Sequence, residues 1–97
     1  MSEIGDLLKQ QRDAILRIAA RHGARNVRVF GSVAKGTAGP QSDIDLLVEF
    51  DPDRSLMDYG RLVMDLRDLL GCEVDVVTEK GLHHLIRDEV LQDAVPL

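Results

Sequence analysis

Asp43 and Asp45 flank one isoleucine at the start of the run IDLLVEF, and Asp75 sits between two valines in VDVVT. In an extended strand, residues i and i+2 point to the same side. Asp43 and Asp45 therefore project together with Cα atoms roughly 7 Å apart, while Ile44 turns away. Two carboxylates so placed repel, and partial burial makes the charged pair costlier. A divalent cation offsets that repulsion, and an all-oxygen donor set favours Mg²⁺, Mn²⁺ or Ca²⁺ over Zn²⁺. If the strand of Asp75 lies beside that of Asp45, the three aspartates form a cup for one or two ions. Ions about 4 Å apart can clamp the attacking and leaving oxygens of a phosphoryl displacement. The competing readings are a turn former or loop cap for the D-x-D pair and a polar edge-strand residue for Asp75. Glu73 is a rival ligand on the same face, nearer the strand entrance.

A Gly-Ser pair stands one loop upstream. Gly31 directly follows a strand-like run, so backbone there can approach a ligand with no Cβ in the way. Ser32 offers a hydroxyl and can open a helical turn whose free N–H groups favour a phosphate; its plainer role is an N-cap. Lys35 can reach an anionic phosphate, or can simply be a solvated lysine.

The elements that must carry these residues follow from periodicity. Apolar Ile4, Leu7, Leu8, Ile15, Ile18 and Ala19 recur at three and four, predicting one helix over residues 3–22 that Gly23 ends. Residues 26–30 alternate as a short strand, and residues 31–42 form a Gly-rich loop with room for one helical turn after Ser32. A second strand covers 44–50, with both faces buried at Leu46, Leu47 and Val48. Ser55 caps a helix running to Leu70, Asp58 complements its dipole, and Gly71 stops it. A third strand spans 73–78, and a last helix over 82–93 turns Leu85, Ile86 and Val90 inward. The first two strands are joined by a loop too short for a helical crossover and should pair antiparallel. Strands two and three, joined through a helix, should lie parallel. The expected fold is α/β: a three-stranded mixed sheet packed by about four helices, in the order α-β-turn-β-α-β-α.

Composition bounds what such a cup can serve. The 97 residues suffice for a single domain with one core, and only three are aromatic. Twelve basic against seventeen acidic residues leave a net charge of −5, which opposes direct binding to nucleic acid. No apolar run approaches the roughly 20 residues of a membrane span, and MSEIGDLLKQ lacks a signal-peptide profile. A single cysteine, Cys72, reads as a partly buried thiol in a reducing cytoplasm, with Glu73 beside it opposing reactivity.

Ten residues separate Ser32 from Asp43, giving G-S-x10-D-x-D. With FGSVAKG, SDIDLLVEF, VDVVT and the tail KGLHHLIRDEVLQDAVPL, this resembles the minimal nucleotidyltransferases of the DNA polymerase β-like superfamily over nearly the whole chain. The resemblance implies ATP as substrate, Mg²⁺ (two ions, with Mn²⁺ as substitute) as cofactor, and transfer of a nucleoside monophosphate. It implies that Asp43, Asp45 and Asp75 bind metal, that Asp75 helps deprotonate the acceptor, and that Gly31 and Ser32 hold the triphosphate. Proteins of this kind resemble the antitoxin half of HEPN–nucleotidyltransferase toxin–antitoxin pairs. Several of these transfer AMP to a tyrosine of the HEPN ribonuclease; a non-catalytic antitoxin that acts by contact is the alternative. The sequence departs from the family at Val33 and Lys35, where arginines are common. Lysine keeps the charge without the bidentate fork, and valine keeps neither.

Other motifs carry less. Asp51-Pro52-Asp53 opens like a calcium loop, but Leu56 and Leu62 stand where glycine and glutamate belong. His83-His84 lacks metal-ligand spacing, and His22 reads as a cation at a helix C-terminus. Arg21, Arg25 and Arg28 read as solvated, or as one docking face. A metal-dependent D-x-D glycosyltransferase would need room for a sugar-acceptor domain.

Overall fold

The computed structural model describes residues 3–35, 43–82 and 84–97. The sheet is built from its second strand outward. β2 (Ile44–Phe50) lies between β3 (Val74–Thr78) and β1 (Ala24–Phe30), and β4 (Val95–Pro96) adds to the far side of β1, giving the order β3-β2-β1-β4. β1 pairs antiparallel with β2 and β2 parallel with β3, as loop lengths require. The sheet has four strands where three are expected. Two residues containing a proline carry no strand signal, and an edge is where Pro96 costs no ladder hydrogen bond.

β1 also begins two residues earlier than its alternation indicates. Between Arg25 and Arg28 the register slips by one residue, and Asn26 takes a left-handed φ of 52°. This bulge lets Ala24 and Val27, an odd distance apart, both face the core, so a period-2 reading misses the strand's first half.

The core lies on one face of the sheet. Ile44, Leu46 and Val48 from β2 meet Val27, Val29, Val74 and Val76, under Ile15 and Ala19 of α2 (Arg12–Arg21) and Leu62, Leu66 and Leu70 of α4 (Leu56–Leu70). Leu47 is equally buried from the opposite face. α4 keeps its expected bounds. The Ser55 backbone N–H donates to the Asp58 carboxylate at 3.0 Å, and Gly71 ends the helix with φ 69°.

The helix expected over 3–22 is divided at Gln11 into α1 (Glu3–Gln10) and α2, where Gln11 opens to φ −99°, ψ 9° while the flanking hydrogen bonds continue. His22 stands at the α2 C-cap as expected, but its ring turns inward and Nε2 lies 2.6 Å from Asp65 Oδ2 of α4. α3 (Gly31–Lys35) supplies the expected helical turn but begins at the Gly-Ser pair itself; the remainder of that loop, residues 36–42, and His83 lie outside the described residues. After a short 3₁₀ turn (Glu79–Gly81), α5 (His84–Asp93) corrects part of the inward face expected of the last helix: Leu85 is 77% and Ile86 48% exposed, while Val90 is half-buried. Arg25 and Arg28 project from the same face of the sheet, the one opposite the core, but each is engaged by a carboxylate. Arg25 bonds Asp51 at 2.6 Å, whereas Arg28 is buried against Glu79. Among the described residues, no helix is long and apolar enough to cross a membrane.

Candidate active site

Three constraints bring the aspartates together. The Ile44 N–H donates to the Glu73 carbonyl at 3.0 Å and starts the parallel ladder at the mouths of β2 and β3. The register then sets Asp45 directly beside Asp75 as Cα partners. Ile44, with no exposed surface, fixes the side of β2 from which Asp45 projects, and Asp43, just before the strand begins, lies close enough for its charge to act on Asp45. Asp45 is half-buried, while Asp43 and Asp75 face solvent.

The electrostatics record the same neighbourhood. Burial, then the charges of Asp75 and Asp43, holds the Asp45 carboxyl above its ordinary value. Mutually repelling carboxylates with only oxygen donors are a set that suits a hard cation such as Mg²⁺ or Mn²⁺. The arrangement is an open one. Among the described residues no three His, Cys, Asp or Glu side chains are gathered tightly enough to hold a metal ion as they stand. The exposed Asp43 and Asp75 would have to turn inward upon an ion.

Gly31 is the other fixed point. Phe30 is the cross-strand partner of Asp45, and the chain then turns through Gly31 at φ 73° into α3. This brings the Gly31 Cα against the Asp45 carboxylate, so a Cβ there would collide with Oδ2. Ser32 and Lys35 stand on α3 near that turn, but their side chains lie outside the described residues. Val33, where the family commonly has an arginine, is partly buried and packs against the core. Glu73, the rival ligand, is drawn aside by Arg67, whose Nη2 lies 3.0 Å from its carboxylate. The neighbouring Cys72 thiol is pushed up by burial and by the charges of Asp43 and Glu73.

A concavity of about 440 Å³ opens at the far ends of β2 and β3 and contains none of the three aspartates. Its carboxylates have partners: Asp51 and Glu49 face Arg25, and Glu79 faces Arg28. Among the described residues, Asp43, Asp45 and Asp75 at the other ends of these strands make no ion pair with a basic side chain.

A mixed sheet with carboxylates at the mouths of adjacent parallel strands and a Gly-Ser turn beside them defines a nucleotidyltransferase. The sequence pattern of the nucleotidyltransferase domain matches residues 8–97, and the chain belongs to that family. It is 43% identical over 81 residues to a putative protein adenylyltransferase of Methanocaldococcus jannaschii, covering 84% of this chain and 87% of that one. A solved structure described as a putative minimal nucleotidyltransferase superposes with a TM-score of 0.87 at 50% identity, covering 96% of this chain and 95% of the other. A toxin–antitoxin crystal structure with AMP-PNP shares the fold, with a TM-score of 0.73 at 21% identity over 87% of this chain and 69% of that one.

Proposed function

We propose that this nucleotidyltransferase moves AMP from ATP to a side-chain hydroxyl of a partner protein, a tyrosine on a cognate HEPN ribonuclease toxin, breaking the bond between the α- and β-phosphates and releasing pyrophosphate, and thereby silences the toxin. Residues 1–97 work as one domain, in the cytoplasm where ATP is supplied. The observation that carries the reading is the in-register pairing of Asp45 with Asp75, with Asp43 two residues before Asp45. The protein-adenylyltransferase name of its relative and the toxin–antitoxin setting of a fold neighbour support the partner class.

Asp43 and Asp45 would hold Mg²⁺, with Asp75 as third ligand. The bound ions would neutralise charge developing on the phosphates and leaving oxygen. Asp75 would also accept the proton of an incoming hydroxyl, a role that its exposure on an edge strand supports. Gly31, Ser32 and Lys35 would hold the triphosphate. Val33, committed to packing, leaves Lys35 as the cation offered by that turn.

Incubation with labelled ATP, Mg²⁺ and the HEPN protein tests the reading. Label should move to the partner and disappear with Asp43→Asn. A partner that is inhibited yet unlabelled would establish the non-catalytic antitoxin instead.

A further inference from the structure

We infer that Gly31 is a positioning residue, whose missing side chain leaves the space in which the Asp45 carboxylate sits beside Asp75. A glycine after a strand suggests an approach by ligand. Here the space is filled by the protein's own carboxylate. An L-residue's Cβ at Gly31 would collide with Asp45 Oδ2 and stand 3.4 Å from Cγ and 3.6 Å from Cβ of the same side chain. No other residue is among its nearest contacts.

The colliding atom belongs to a group that can move. Oδ2 ends a short side chain that can rotate away, so the fold can survive a Cβ by turning the carboxylate out of its place. Backbone cannot give way so easily, because Phe30 and Asp45 are tied as cross-strand partners and Ile44 is locked in the core. Stability and carboxylate placement should therefore separate. Gly71 supplies the control: its φ of 69° nearly equals the 73° of Gly31, but nothing lies within 4 Å of a Cβ built there. Gly71→Ala carries the backbone strain without the collision.

The inference rests on Asp45 being a metal ligand, and the test keeps the two claims apart. Binding of Mn²⁺ alone, without nucleotide, is measured by electron paramagnetic resonance on the folded chain, with melting temperatures alongside. Gly31→Ala and Gly71→Ala should lose similar amounts of melting temperature. Only Gly31→Ala should also lose Mn²⁺ affinity, by about tenfold or more, the range seen when groups that orient a ligand are removed. Gly31→Asn, which tolerates a left-handed φ but still carries a Cβ, should lose the same affinity at less expense to folding. If Asp45→Asn binds Mn²⁺ like the parent, the assignment of Asp45 as ligand is wrong. If Asp45→Asn loses the ion while both Gly31 variants keep it, Gly31 does not position the carboxylate. If neither Gly31 variant folds although Gly71→Ala does, the carboxylate does not yield, and the inference is overturned on that ground.

Discussion

Asp45 is charged at a place where charge is disfavoured, and that has a measurable sign. Its carboxyl titrates above the ordinary aspartate value of 3.8 because of burial and two neighbouring carboxylates. An acid whose folded value is raised weakens the folded state as pH climbs from its unfolded value through the folded one. The penalty is full at neutral pH and relieved in mild acid. Asp45→Asn should therefore melt higher than the parent at pH 7 in chelator, with the difference narrowing towards pH 4. Asp58 works in the other direction. Its carboxyl is lowered by the Ser55 backbone hydrogen bond, and its contribution is lost only as pH falls below the ordinary value. An equal gap between variant and parent at both pH values would show that Asp45 bears no such penalty. The D-x-D spacing made the closeness of Asp43 and Asp45 legible in the sequence, although Asp43 itself lies just before β2. The role of Gly31 was not legible. The sequence shows that a Cβ is missing, whereas the occupant of the space comes from a residue fourteen positions on.

Element boundaries were legible wherever a residue imposes a backbone conformation. Gly23 and Gly71 both take the left-handed φ that ends a helix, and β2 and α4 fall within their expected limits. What failed depended on partners: the bulge at Asn26, the two-residue β4, and the outward face of α5. The Arg28–Glu79 pair belongs to this class, since it joins β1 to the 3₁₀ turn across 51 positions. Only 12% of the Arg28 side chain and 30% of the Glu79 side chain is exposed, and Arg28 Nη2 is buried with no hydrogen-bond partner among the described residues. Glu79→Ala would leave a buried guanidinium uncompensated. The expected loss is about 2 kcal/mol, below the roughly 3–5 kcal/mol of a fully buried pair. The double variant Arg28→Met/Glu79→Met should recover most of it, because apolar groups of similar volume need no partner. Denaturant midpoints of the two variants measure this, and equal losses in both would contradict it.

On the scale of the whole molecule, the sheet separates what stabilises from what reacts. The core lies on one face under α2 and α4, whereas the aspartates stand at the opposite face, at the mouths of β2 and β3. Leu66, 1% exposed beneath α4, tests one side of that division. Leu66→Ala should cost about 3 kcal/mol of a total near 5–15 kcal/mol, lowering the melting temperature by roughly 12–24 °C. Well below its transition the variant should still transfer nucleotide at close to the parental rate, because no strand end moves when a core cavity opens across the sheet. Asp75→Asn tests the other side: it should abolish transfer while leaving the melting temperature unchanged or slightly raised, since it removes a repelling charge from beside Asp45. The pair is read by thermal melts and by initial rates at a temperature where both variants are folded. A Leu66→Ala protein that is folded but inactive would mean that core packing sets the register of Asp45 against Asp75, and that stability and chemistry in this small domain share one structural origin.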